Sequence, residues 1–158
     1  MSPVRLTDHF TLDELTFSQT AAREGIDNTP PPAALANLHR MAALMEQIRA
    51  LLGGRAVHIS SGYRCPVLNR RVGGATKSAH MDGLAVDFTV PSLGSPHEVA
   101  LAIAASNLQF DQLIHEYGSW VHVGLAPLGQ QPRQQLLTFV HGQSQALAGI
   151  QPADTALA

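Results

Sequence analysis

Two imidazoles and a carboxylate in this chain are spaced so that they could share one metal ion: His80, Asp87 and His122. His80 and Asp87 are seven positions apart with Gly83 between them. They therefore cannot be the helical pair of an HExxH motif, whose two histidines sit one turn apart on a helix face. A loop histidine followed by a strand aspartate can still converge on an ion. Asp87 alternates with Val86 and Phe88, so it faces away from both. Trp120, His122 and Gly124 share one strand face, and Val121, Val123 and Leu125 share the other. A structural zinc site would use four protein ligands, usually with cysteines, and Cys65 is the sole cysteine. Three ligands with an open position suit catalysis instead. Zinc so held lowers the pKa of water to about 7 and polarises a carbonyl. Such a site also needs a proton acceptor and a positive group for developing negative charge.

Spacing alone leaves a plain alternative for each residue. His80 could be a loop histidine bonded to a nearby carbonyl. Asp87 could be a strand-end aspartate receiving backbone N–H groups. His122 could be a half-buried histidine beside Trp120.

The elements that must position these residues follow from the patterning. Thr11 and Glu14 make a capping box, with Phe10 and Leu15 placed as a hydrophobic staple. The short helical stretch they open ends near Gly25. A proline-rich turn over Asn28 to Pro32 leads into the clearest helix, where Leu38, Met41, Met45, Ile48 and Leu52 form an amphipathic stripe closed by Gly53-Gly54. A strand is expected over 56–60, and a short helix opened by Pro66 and stopped by Gly73-Gly74. A loop should cover 75–83 and a strand 86–90. Ser95-Pro96-His97-Glu98 starts a helix running to about Asn107. Strands over 112–116 and 120–125 should pair through a tight turn at Gly118, with a last strand over 135–140. Helices first and strands interrupted by helices afterwards predict an α+β fold, a small and mostly antiparallel sheet with helices packed on one side. The expected organisation is a single domain over 1–145, helical over 1–54 with the site-bearing core over 55–145, and a flexible tail over 146–158.

Composition removes other classes. Hydrophobic residues at 45% and charged residues at 14% describe a globular chain. A net charge of −2 argues against a nucleic-acid binder working through broad electrostatics. No stretch is apolar enough to insert in a membrane, and the N-terminus lacks the apolar core of a classical secretory signal.

The run Ser78-Ala79-His80-Met81-Asp82-Gly83-Leu84-Ala85-Val86-Asp87 resembles the SxHxxGxAxD signature of the M15 metallopeptidases, and every fixed position is met. Ser61-Gly62-Tyr63-Arg64, with Pro66 and Asn69, is similar to the family's SGYR segment, and Trp120-Val121-His122-Val123 to its closing WxH strand. The resemblance spans roughly residues 60–125. It implies a Hedgehog/DD-peptidase-like arrangement, one Zn2+ per chain held by His80, Asp87 and His122, and peptidoglycan peptides as substrate. It assigns Arg64 to the substrate carboxylate or the oxyanion and Ser78 to a supporting role, with Tyr63 lining the pocket. The N-terminal region is similar to the phage- and prophage-associated branch. Without a signal peptide, the expected location is synthesis in the cytoplasm and access to the wall by a phage route.

One position departs from the family pattern. Several relatives place Glu or Asp three residues before the last zinc histidine, and here that position is Ser119. Glu116, across the turn, is the expected catalytic base, with His115 as the reserve should the pairing register favour it. Two readings follow: a zinc peptidase cutting stem peptides as a carboxypeptidase or murein endopeptidase, or a non-catalytic cell-wall-binding or phage structural module that keeps the zinc fold.

Overall fold

The computed structural model describes residues 4–153. The elements are α+β: α1 (Leu12–Thr16), α2 (Gln19–Glu24), α3 (Pro32–Leu51), β1 (His58–Ser61), α4 (Pro66–Arg71), a 3-10 helix (Ala79–Asp82), β2 (Ala85–Thr89), α5 (Pro96–Ala104), β3 (Gln112–Glu116), β4 (Trp120–Gly124), β5 (Gln135–Phe139) and β6 (Leu147–Ala148). One six-stranded sheet runs in the order β1-β2-β4-β3-β5-β6. It is mixed: β3 pairs antiparallel with β4 and parallel with β5, and β5 pairs antiparallel with β6. The chain forms two compact units, one of residues up to Glu46 with Ile59–Val86, the other of Gln47–His58 with residues from Asp87 onward. Residues of α3, β1 and β2 fall in both units.

In the first unit, Thr11 caps α1 and Glu14 reaches back to the cap, the reciprocal arrangement its sequence predicts. Phe10 and Leu15 are both fully buried. Gly25 adopts a left-handed conformation and ends α2. Leu38, Met41 and Met45 of α3 are wholly buried, as the stripe requires. The stretch 75–83, expected to be a loop, contains the 3-10 helix. Ser78 caps it, Gly83 ends it with φ 71°, and Asn37 donates to the Asp82 carbonyl. The short turn is thus fixed by long-range bonds that local propensity does not reveal.

In the second unit, Ser95 and Glu98 form the capping box of α5, with Pro96 at the first helical position. The helix ends at Ala104, short of the expected Asn107. The Ser106 hydroxyl donates to the Ile103 carbonyl at 2.6 Å and accepts from the Leu108 N–H, so it competes with the next helical bond. The buried Val99, Ala100 and Ile103 of α5 lie against β3 and β4. The β3–β4 hairpin closes with Tyr117 and Gly118 both at positive φ, 55° and 66°, and Ser119 N–H bonded to the Glu116 carbonyl at 2.9 Å. With Glu116 opposite Trp120, the hairpin loop is the three residues Tyr117, Gly118 and Ser119.

The short strand β6 lies in the segment expected to be a flexible tail. Thr138 donates to the Gly149 carbonyl and accepts from Gln151 N–H, while His115 Nδ1 donates to the Gln151 carbonyl at 2.8 Å. These partners lie 11 to 36 positions away, so composition could not show them. Residues 154–158 of that expected tail lie outside the described residues.

Candidate metal centre

His80 is 3% exposed in the 3-10 helix of the first unit. Its Nδ1 lies 2.8 Å from the Gly62 carbonyl. A carbonyl can only accept, so Nδ1 carries the proton and the neutral ring's lone pair sits on Nε2, the atom fit for a metal. The plain reading of His80 as a histidine bonded to a carbonyl is therefore true of one nitrogen and compatible with ligation by the other. Ser78 Oγ accepts from the His80 backbone N–H at 3.2 Å, which fixes the turn rather than the ring.

The arginine loop is tied to the same backbone. Arg64 N–H donates to the His80 carbonyl at 3.1 Å. The guanidinium donates through Nε to Ser61 Oγ at 3.2 Å and through Nη1 to Asn69 Oδ1 at 3.0 Å. Asn28 anchors the loop from another direction. Its amide donates to the Thr16 and Tyr63 carbonyls and accepts from Cys65 N–H, all within 2.9 Å. Tyr63 is 4% exposed, and burial pushes its phenol pKa up. Asn28 carried no sequence signal beyond its turn, and Asn69 none beyond the SGYR resemblance.

In the second unit, Asp87 lies on β2, a strand buried along nearly its whole length, and His122 on the neighbouring β4. His122 Nδ1 and Asp87 Oδ1 are 2.9 Å apart. The carboxylate oxygen accepts there, so a cation bound by this pair would take the place of the shared proton. Val121 and Val123 flank His122 and are fully buried, as strand alternation predicts. Register pairs Ile114 with His122 and Glu116 with Trp120, which puts Glu116 on the His122 face. Glu116 Oε1 is 3.8 Å from His122 Nδ1. His115 pairs with Val121 and lies on the opposite face, its ring 5.3 Å from that of His97 on α5. Register thus selects the carboxylate over the reserve histidine. Ser119 donates to the Tyr117 carbonyl within the turn.

One donor atom from each of His80, Asp87 and His122 lies within 4.8 Å of the others, a group that could hold one metal ion. Two imidazoles and a carboxylate fit a divalent cation of intermediate softness. The model of the peptidase M15 family matches residues 8–124, most of the chain. The chain belongs to the M15 peptidases. The three candidate ligands, Arg64 and Glu116 all fall inside the matched region of this M15 chain. It is also similar to the zinc D-Ala-D-Ala carboxypeptidase of Streptomyces albus G, with 34% identity over 70 residues. That alignment covers 44% of this chain and 26% of the relative, so the chain spans about a quarter of that relative's length.

Proposed function

We propose that this M15 chain is a zinc-dependent peptidase that hydrolyses a peptide bond in peptidoglycan stem peptides. The observation that carries the reading is the pairing of the donor group His80, Asp87 and His122 with Glu116, whose Oε1 stands 3.8 Å from His122 Nδ1. A ligand set without a neighbouring carboxylate would suit stability alone, whereas one beside it suits proton transfer. Zinc, held by the three side chains, would acidify the attacking water and polarise the scissile carbonyl. Glu116 accepts the water's proton and returns it to the departing amine. Gly62 keeps His80 in the ligating tautomer. Arg64 meets negative charge on the substrate or on the tetrahedral oxygen. The reading takes the mixed sheet to be DD-peptidase-like, with either a D-Ala-D-Ala carboxypeptidase or a murein endopeptidase activity, and the named relative favours the carboxypeptidase form.

A second reading, a wall-binding module with a retained metal site, is favoured by Ser119, which stands where several relatives carry an acidic residue. Digestion of purified muropeptides, followed by product masses, separates the two. The peptidase reading expects one bond to be cut by the zinc-loaded protein and none by His80→Ala. Intact muropeptides with tight wall binding would establish the module instead.

A further inference from the structure

We infer that Asn69 is the positioning residue for Arg64, fixing the guanidinium to receive the terminal carboxylate of a peptide substrate. This rests on the peptidase reading above and concerns substrate choice within it.

Asn69 is a polar side chain at 2% exposure on α4, and both ends of its amide are used. Oδ1 accepts from Arg64 Nη1 at 3.0 Å, and Nδ2 donates to the Ala75 carbonyl at 2.9 Å. The backbone repeats the tie, with Gly74 N–H bonded to the Asn69 carbonyl at 2.9 Å. An amide can accept at one end and donate at the other without carrying charge. An aspartate there would lose the Ala75 bond and place a negative charge on the guanidinium, in competition with a substrate carboxylate. Ser61 Oγ, on Nε, is also uncharged. These two acceptors fix the plane of the fork without themselves neutralising it, which suits a group meant to receive an anion from the substrate.

Gly74 keeps the space open. A Cβ at this position would stand 2.7 Å from Arg64 Nη1 and collide with Asn69 Oδ1. Its φ is not positive, so the requirement is for room rather than for unusual backbone. The pair Gly73-Gly74, read from sequence as a helix stop, thus has different duties at its two positions.

The test compares a synthetic peptide ending in D-Ala-D-Ala as the free acid with the same peptide as its C-terminal amide. Wild type should prefer the acid in kcat/KM by roughly tenfold or more, the range of one charge-assisted contact. Asn69→Ala should bring the ratio close to one, chiefly by raising KM for the acid. Asn69→Asp, nearly isosteric, should do the same or reverse the preference. Gly74→Ala, which presses on the same two groups from the other side, should lower the ratio too. Asn28→Ala, which loosens the loop without touching the guanidinium, should lower both substrates in parallel. A wild type without acid preference, or an Asn69→Ala variant that keeps it or loses both substrates equally, overturns the assignment.

A second measurement needs no turnover. In nitrogen-resolved NMR of the wild type, the Arg64 Nη groups should be distinct and slow to rotate, and in Asn69→Ala they should average. Averaged Nη signals in the wild type would also overturn the inference. A protein that cuts neither peptide while showing an ordered Arg64 would count against the peptidase reading, not against the positioning role.

Discussion

His80 and His122 are both candidate ligands, yet the chain holds them by different means. His122 owes its direction to strand alternation: Val121 and Val123 are buried on one face, so the ring must project from the other. Its neighbours Asp87 and Glu116 are likewise strand residues. His80 and Arg64 lie outside regular strands, and single hydrogen bonds replace that periodic support. Gly62 orients the His80 ring, Ser78 caps its turn, and Asn69 and Ser61 hold the guanidinium. A strand gives direction through many ladder bonds at once, whereas a loop must secure each side chain separately. The loop residues should therefore be sensitive to single-atom changes at their supports, and the strand residues sensitive mainly to changes in themselves.

The largest expected effect is on the strand side. Glu116→Gln keeps size and strand pairing and removes the base. It should lower kcat by about 10²–10⁴-fold while metal content stays at the wild-type level. Steady-state kinetics alongside elemental analysis checks this, and an active Glu116→Gln protein would remove Glu116 from the mechanism.

A support of the loop comes next. A Cβ at Gly62 would collide with the Leu15 carbonyl, which already accepts from Tyr63 N–H at 2.7 Å. Backbone cannot move aside as a flexible side chain can. Gly62→Ala should cost about 1–3 kcal/mol in denaturant unfolding. It should also weaken metal binding, because the Gly62 carbonyl that orients His80 must shift. Unchanged stability and affinity would show that the loop is not held as described.

The smallest effect lies on the strand face away from Glu116. Burial lowers the pKa of His115, and the nearby His97 adds to the shift, against the opposing bond to Gln151. Val121 and Thr138 are its strand partners. The folded form therefore keeps the ring neutral where the unfolded chain, near 6.5, takes up a proton. The unfolded state binds more protons in that window, so this contribution is present above about pH 6.5 and is lost as pH falls below it. Thermal unfolding between pH 7.5 and 5 should show the decline. His115→Asn, which retains a donor for the Gln151 carbonyl, should flatten it; an unchanged slope would assign the acid sensitivity elsewhere.

The same contrast explains what could be read from the sequence. Alternation in Trp120-Val121-His122-Val123 foretold which way His122 points, and the capping residues at Thr11 and Ser95 foretold two helix starts. The side of the sheet taken by Glu116 depended on pairing register, which the three-residue loop of Tyr117, Gly118 and Ser119 sets. Asn28 and Asn69 could not be recognised as loop anchors from local pattern. Asn28 binds partners up to 37 positions away, and Asn69 acts within a fold-back whose closure needs the absent side chain of Gly74. The bonds made by Gly149 and Gln151 were likewise hidden, since Thr138 and His115 supply them from other strands.

The most direct measurement is a titration of chelator-treated protein with zinc, following hydrolysis of a stem peptide at each addition. Activity should be absent without metal, rise in proportion to zinc up to one equivalent per chain, and stay level thereafter, with His122→Ala inactive throughout. Hydrolysis that survives chelation, or a protein that takes up one equivalent of zinc and cuts no stem peptide, would contradict the account.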